Sequence, residues 1–588
     1  VNLTCQVGGI VVKKSFLTVL AIIAVIGTVF GNYIGSNATG KKGGTLIIPT
    51  LSGPRTMNYT VAKETSSTDI IALFMGYGGT LIERHGVDKE FYPALAERWD
   101  GPRLTKDRGM EIIWYLRKDV KWSDGKPFTA DDVVYSLNEI YNNPDIPSSY
   151  KDVIKSTNGH LPKATKINDY TVRMYYPEPF RLAFRYLGGM YIFPKHVAEK
   201  WVKEKKFAEF WTVDSINKKE LVGLGPFIPV EYVPDQYVKA VANPYYWKKD
   251  KNGVQLPYLN EVIFKIISSQ DAQKLAFEKG EVDIYSPRGT EFSYFKENEK
   301  RLNITVVSAG PGLGTEFISF NWNNKDEAKR DWFRNIHFRK AVAYAIDKKK
   351  IISTLFNGLG YEQWSPVSFA SPYFNDKVVT KYPYDLNKAR AELKLGGFSW
   401  DKNGRLIDSK GRPVKFIIET NAGNVVREGV GNIVTSALKQ LGMDVTFVAT
   451  DFNTLVHRTL NVGDWDARIM GLTGSDEPQG GANVWRIEGT LHVWNLSPKN
   501  AAWVDPSAYY VPDFEKEIDR IFAENVRILD EGVVKDYWSK FQKLVSDNLP
   551  VVYTCISVRL FAWKNSVKNV AIGLLGGTTW NLDWLYRE

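Results

Sequence analysis

This sequence predicts an α/β fold divided into more than one domain, on three observations. At 588 residues the chain is too long for a single hydrophobic core. Its 44% hydrophobic and 24% charged residues are those of an ordinary globular protein. Strand and helix patterns also alternate along it. Residues 262–267 alternate apolar and polar as a strand; Ala272, Leu275, Ala276 and Phe277 fall on a helix ending at Gly280; and 281–285 return to strand.

The amino terminus reads differently. Lys13 and Lys14 precede an apolar run over 16–30, and Ser36-Asn37-Ala38 supplies small residues for a signal peptidase. Residues 1–38 therefore read as a secretory signal peptide cleaved after Ala38, with an uncleaved anchor helix as the alternative. No cysteine follows the run, so no lipid anchor is expected. Cys5 leaves with this segment, and Cys555 sits alone in the apolar run 549–556, a buried core thiol without a disulfide partner. The net charge of +10 is mild for this size, and the lysines mix with acids, as at Lys248-Lys249-Asp250-Lys251. That is solvated surface, not a nucleic-acid stripe.

Further elements follow in order. Residues 43–48 form a first strand entered through glycines, and 67–75 a helix. Residues 111–117 alternate as a strand, and Thr129 caps a helix with Asp131 and Asp132 in its first turn. Residues 317–322 read as a strand, 338–347 as a packing helix, and Asp385 as the cap of another helix. Asp401-Lys402-Asn403-Gly404 and Asp408-Ser409-Lys410-Gly411 suggest a hairpin with two tight turns. A calcium loop is disfavoured because Arg412 stands where its twelfth-position acid belongs. A strand over 414–420 ends in a loop at 420–424 before a helix reaching Leu441; such loops are where α/β domains present ligand groups. Residues 464–472 give another strand that breaks into the loop 471–487, with glycines 471, 474, 480 and 481, Pro478, Asp476 and Glu477. Glycines there admit a ligand to the main chain, and Trp485 and Trp494 offer flat apolar walls.

The six histidines (85, 160, 196, 337, 457 and 492) are dispersed, with no pair at metal-ligand spacing. Neither a G-x-S-x-G elbow nor a P-loop occurs. No metal, no cofactor and no enzymatic activity are expected; a secreted hydrolase with an acid pair unseen in sequence is the outlying alternative.

Several motifs carry a resemblance: Pro93-Ala94-Leu95-Ala96-Glu97-Arg98-Trp99, Leu116-Arg117-Lys118-Asp119-Val120-Lys121-Trp122-Ser123-Asp124-Gly125, Asn243-Pro244-Tyr245-Tyr246-Trp247 and Phe338-Arg339-Lys340-Ala341 through Asp347. Together they resemble the peptide/nickel family of extracellular solute-binding proteins, family 5, the receptors of oligopeptide and dipeptide ABC importers. The resemblance implies a periplasmic-binding-protein type II fold of two lobes with an extra subdomain in the first. The implied order is lobe I at 41–84, its extra subdomain at 85–221, lobe I again at 222–311, lobe II at 312–548 and a return to lobe I at 549–588, with hinges near 309–314 and 547–550. It implies a monomeric periplasmic or extracytoplasmic receptor that closes on a peptide and serves a membrane permease. An oligosaccharide is the alternative ligand, favoured by 18 tryptophans.

In that family an aspartate in the loop matching 473–478 pairs with the peptide amine. Here the loop is one residue shorter, so Asp476 or Ser475 is expected at that position, with Gly474 beside it for the peptide main chain. Glu419 and Thr420 stand near where dipeptide receptors keep an arginine, which argues against strict dipeptide specificity. Trp322, Trp485 and Trp494 are expected to wall side-chain pockets beside Asn321, with Asn421, Asn424 and Arg427 on the facing loop.

Overall fold

The computed structural model describes residues 38–588; the signal segment lies almost wholly outside them. Three sheets frame the two lobes and their connection. In the first lobe Thr45–Thr50 runs parallel to Glu261–Ile266, and Tyr237–Ala242 and Phe227–Val233 continue the sheet antiparallel. In the second, the order is Asp444–Thr450, Lys415–Asn421, Ala467–Leu472, Thr315–Phe320, Val551–Tyr553. Lys415–Asn421 is parallel to both its neighbours, joined to Asp444–Thr450 through the helix Val425–Gln440. Buried strands with a crossover helix make this the α/β unit that the strand–helix alternation predicts.

The third sheet links the lobes. The ten-residue strand Cys555–Lys564 pairs through its first residues with Gly360–Glu362 of the second lobe and through the rest with Ile304–Pro311 and Ile284–Tyr285 of the first. Residues 312–314 and Thr554 are thus the two places where this double connection passes between sheets. Just before Thr554, Val551–Tyr553 pairs with Thr315–Phe320.

The inserted subdomain is an antiparallel sheet in the order Ala96–Leu104, Met110–Leu116, Thr171–Tyr176, Lys163–Asn168. Met110–Leu116 alternates buried and half-buried residues along its whole length, one face turned to the core. Thr129 accepts from Asp131 N, and Asp132 closes the capping box on helix Ala130–Tyr135. Asp385 caps helix Leu386–Leu395 through Asn387 N and Lys388 N, 2.9 and 3.0 Å. Residues 399–407 form the expected small hairpin, Ser399–Trp400 against Leu406–Ile407. The Asn243–Trp247 motif is packing: Asn243 donates to Gly225 O at 2.9 Å and Trp247 to Gly78 O at 2.9 Å.

Candidate functional site: a cavity between the lobes

A cavity of about 1130 Å³ lies where the two lobes and the connecting sheet meet. Residues of the two adjoining strands of the second lobe and the turns beside them, 312–317 and 469–475, and of the connecting strand at 554–561 form its floor. Thr473 and Gly474 are exposed there. The approach of these two segments is what requires glycine at 474: a Cβ at that residue would sit 1.6 Å from Leu313 O. At Gly471 a Cβ would fall 2.3 Å from Glu316 Oε1 and 2.4 Å from Arg427 Nη2. The missing side chain leaves room for that ion pair.

The facing loop also lines the cavity. Asn424 caps helix Val425–Gln440, accepting from Arg427 N at 3.1 Å, and Asn421 Oδ1 accepts from Arg427 Nη1 at 2.9 Å. Arg427 forks onto Glu316 at 2.7 and 2.9 Å. Burial disfavours its charge, but Glu316 outweighs this and holds it protonated. The loop touches the first lobe: Gly423, at φ +81°, accepts from Gln270 N at 3.0 Å, and a Cβ there would lie 1.8 Å from Ser268 O. Trp485 and Trp494 form one apolar wall, ring centres 5.2 Å apart, backed by Phe541. Loop 471–487 is more ordered than its composition suggests, since Pro478–Gly481 and Ala482–Trp485 are short helical turns.

Three expected site residues stand elsewhere. Asn321 and Trp322 lie just past the end of strand Thr315–Phe320 and are buried in the second lobe. Asn321 donates to Gly463 O and Trp465 O, while Arg339 stacks over Trp322 at 4.5 Å. Neither lines the cavity, because strand alternation and the chain turn carry them into the core.

Asp476 is the third. Its carboxylate is gripped from across the cleft by Arg84 (Nη1 at 2.8 Å, Nη2 at 2.5 Å) and Arg185 (Nη2 at 2.8 Å), the latter also donating to Ser475 Oγ at 3.0 Å. Burial would raise its pKa, but the two guanidinium groups prevail and hold it well below the usual carboxylate range. Next to it, Arg181 pairs with Glu477 at 3.1 and 3.3 Å, and Trp538 donates to Glu477 Oε1 at 3.0 Å. Asp476 is buried, paired with both arginines and not among the residues that line the cavity. Glu419 is likewise committed, to Arg458 and to the fully buried Arg468.

Sequence reasoning missed the arginines. Arg181 and Arg185 stand four residues apart in the otherwise apolar run 180–187. Two unpaired cations in such a run signal distant acidic partners, though not which ones. Cys555 is a buried free thiol pushed up to about 12 by burial, as an inert core cysteine should be.

Two lobes joined by a double crossover, with a large cavity between them and ion pairs across its mouth, define a binding protein that closes around its ligand. The chain belongs to the bacterial extracellular solute-binding proteins, family 5, whose family model matches residues 90–490. These are substrate-binding receptors, not enzymes. The chain is 26% identical over 555 residues to a probable ABC transporter-binding protein of Deinococcus radiodurans, covering 90% of this chain and 89% of that protein. It is 28% identical over 482 residues to the oligopeptide-binding protein AppA of Bacillus subtilis, 79% of this chain and 81% of that one. The structure of AppA in complex with a nonapeptide superposes with a TM-score of 0.77 at 23% identity, over 94% of this chain and all of that chain. MelB from Agrobacterium fabrum, in complex with stachyose, gives 0.78 at 22% identity, over 94% of this chain and 86% of that one. Among the described residues no helix is long and apolar enough to cross a membrane.

Proposed function

We propose that this chain is the extracytoplasmic receptor of an ABC importer, that it acts as a monomer secreted by its first 38 residues, and that it captures oligopeptides between its lobes. The observation that carries this reading is the floor of the cavity. The exposed residues Thr473 and Gly474 run beside 312–314 in a space of about 1130 Å³, above the roughly 300–1,000 Å³ of small-molecule pockets. An extended peptide bonds to such a floor through its own backbone, leaving side chains to roomy apolar walls. Gly474 and Ser475 would meet the peptide main chain, Trp485 and Trp494 its side chains, and Asn421, Asn424 and Arg427 its opposite edge. AppA, solved with a nonapeptide, supports a ligand of this kind.

In this reading Asp476 acts on closure. Arg84 and Arg185 come from the first lobe and Asp476 from the second, so their pairing exists only when the lobes meet. Ligand contacts and these ion pairs then favour the same closed state, the form a permease recognises.

The paired tryptophan wall and the likeness to MelB, solved with stachyose, favour an oligosaccharide as the second reading. Mass spectrometry of the ligand released on denaturing the purified protein decides between them. Short peptides, recovered intact after long incubation, are expected; a bound oligosaccharide would overturn the peptide reading, and cleaved ligand would contradict the receptor role.

A further inference from the structure

One cation of the cavity has no acid assigned to it. Arg559 lies on the connecting strand Cys555–Lys564 and lines the cavity near the crossover, with Gly312 and Leu574–Gly576 around it. Its guanidinium donates only to carbonyls: Gly573 O at 2.8 Å, Ala309 O at 3.1 Å and, at 3.5 Å, Leu574 O. Its Nε is buried without a hydrogen-bond partner. No carboxylate among the described residues bridges it, and burial acts on its charge without any acidic group opposing it.

The other cationic groups there are different. Arg427 has Glu316, and Arg288 has Asp271 and Glu291. Lys63 feels both Asp152 and Glu64. Gly312 makes the space at Arg559, since a Cβ there would press on its Cδ at 3.0 Å. Ser557, exposed and two residues earlier on the same strand, lines the cavity from the same strand face. A half-buried guanidinium with spare donors, a hydroxyl beside it and no counter-ion is built to take an anion from outside.

We infer that Arg559 seats a carboxylate of the ligand at the hinge end of the cavity, so that the receptor selects acidic ligands. For a peptide this carboxylate is its C terminus or an acidic side chain. The inference rests on the cavity being the ligand site and extends the peptide reading without requiring it.

The test uses the full receptor and calorimetry with one alanine–leucine pentapeptide in three forms: free acid, C-terminal amide, and amide with one internal glutamate. Digalacturonate and galactobiose serve as an acidic and a neutral sugar. The wild type should bind at least one acidic peptide form about ten-fold or more tightly than the plain amide. Which form gains identifies the source of the carboxylate. Arg559→Gln should erase that preference, and Arg559→Lys should keep part of it. Preference for digalacturonate alone, lost in Arg559→Gln, would uphold the anion site while overturning the peptide reading. Equal binding of acidic and neutral forms, no binding of any probe, or a preference that survives Arg559→Gln would overturn the inference. A circular dichroism spectrum of Arg559→Gln that matches the wild type guards against mere misfolding.

Discussion

Two ends of one loop behave oppositely. Residues 471–475 line the cavity and carry no charged side chain; Asp476 and Glu477, the next two residues, have both carboxylates engaged by arginines of the first lobe. The difference teaches that an acidic residue at a ligand-binding loop is not thereby a ligand-binding residue. A carboxylate meets whichever cation is fixed nearest, and here three arginines of the first lobe engage the two carboxylates.

Breaking the outward end should give the largest effect. Asp476→Asn leaves Arg84 and Arg185 partly buried without their anion, which costs about 3–5 kcal/mol where such groups are desolvated. That cost falls on closure, since the partners lie on different lobes. Small-angle scattering of the ligand-saturated protein should show the variant more open than the wild type, with the second lobe still folded by circular dichroism.

A substitution on the inward end comes next. Gly474→Ala places a methyl group 1.6 Å from Leu313 O, so one of the two floor segments must move, at about 1–3 kcal/mol. Ligand affinity should fall by about ten-fold or more while the ion pairs across the cleft persist. Trp322→Phe should act on neither end: it lowers the melting temperature by loosening the core beneath Arg339 and leaves ligand affinity unchanged in calorimetry.

The smallest effect sharpens the comparison through pH. Asp476 is held below its unfolded value of 3.8, so its contribution is fully present above that value and is lost as pH falls through the lower folded one. The closed fraction should therefore be flat between about pH 5 and 8 and decline only in stronger acid. A titration of closure near pH 6 would point to a different latch.

Much of the fold was legible because it is written locally. Alternation at 111–117, the caps at Thr129 and Asp385, and the turns at Gly404 and Gly411 depend on neighbours within a few residues. The site was legible only in part. Gly474, Ser475, Asn421, Asn424, Arg427, Trp485 and Trp494 line the cavity because loops at strand ends collect there. Asn321 and Trp322 failed because two residues beyond a strand's end decide which way a chain turns, and apolar pattern does not encode that. The ion pairs of Asp476 were not legible because its partners stand nearly 300 and 400 residues away in sequence, at Arg185 and Arg84. Charge pairing at that range is set by how the lobes meet.

The central claim is that Asp476 closes the lobes and does not bind the ligand's amine. The direct measurement compares one peptide with a free amine and the same peptide N-acetylated, against wild type and Asp476→Asn, by calorimetry. The account predicts that the substitution weakens both peptides by the same factor. A loss confined to the free-amine peptide would contradict it and return Asp476 to the ligand.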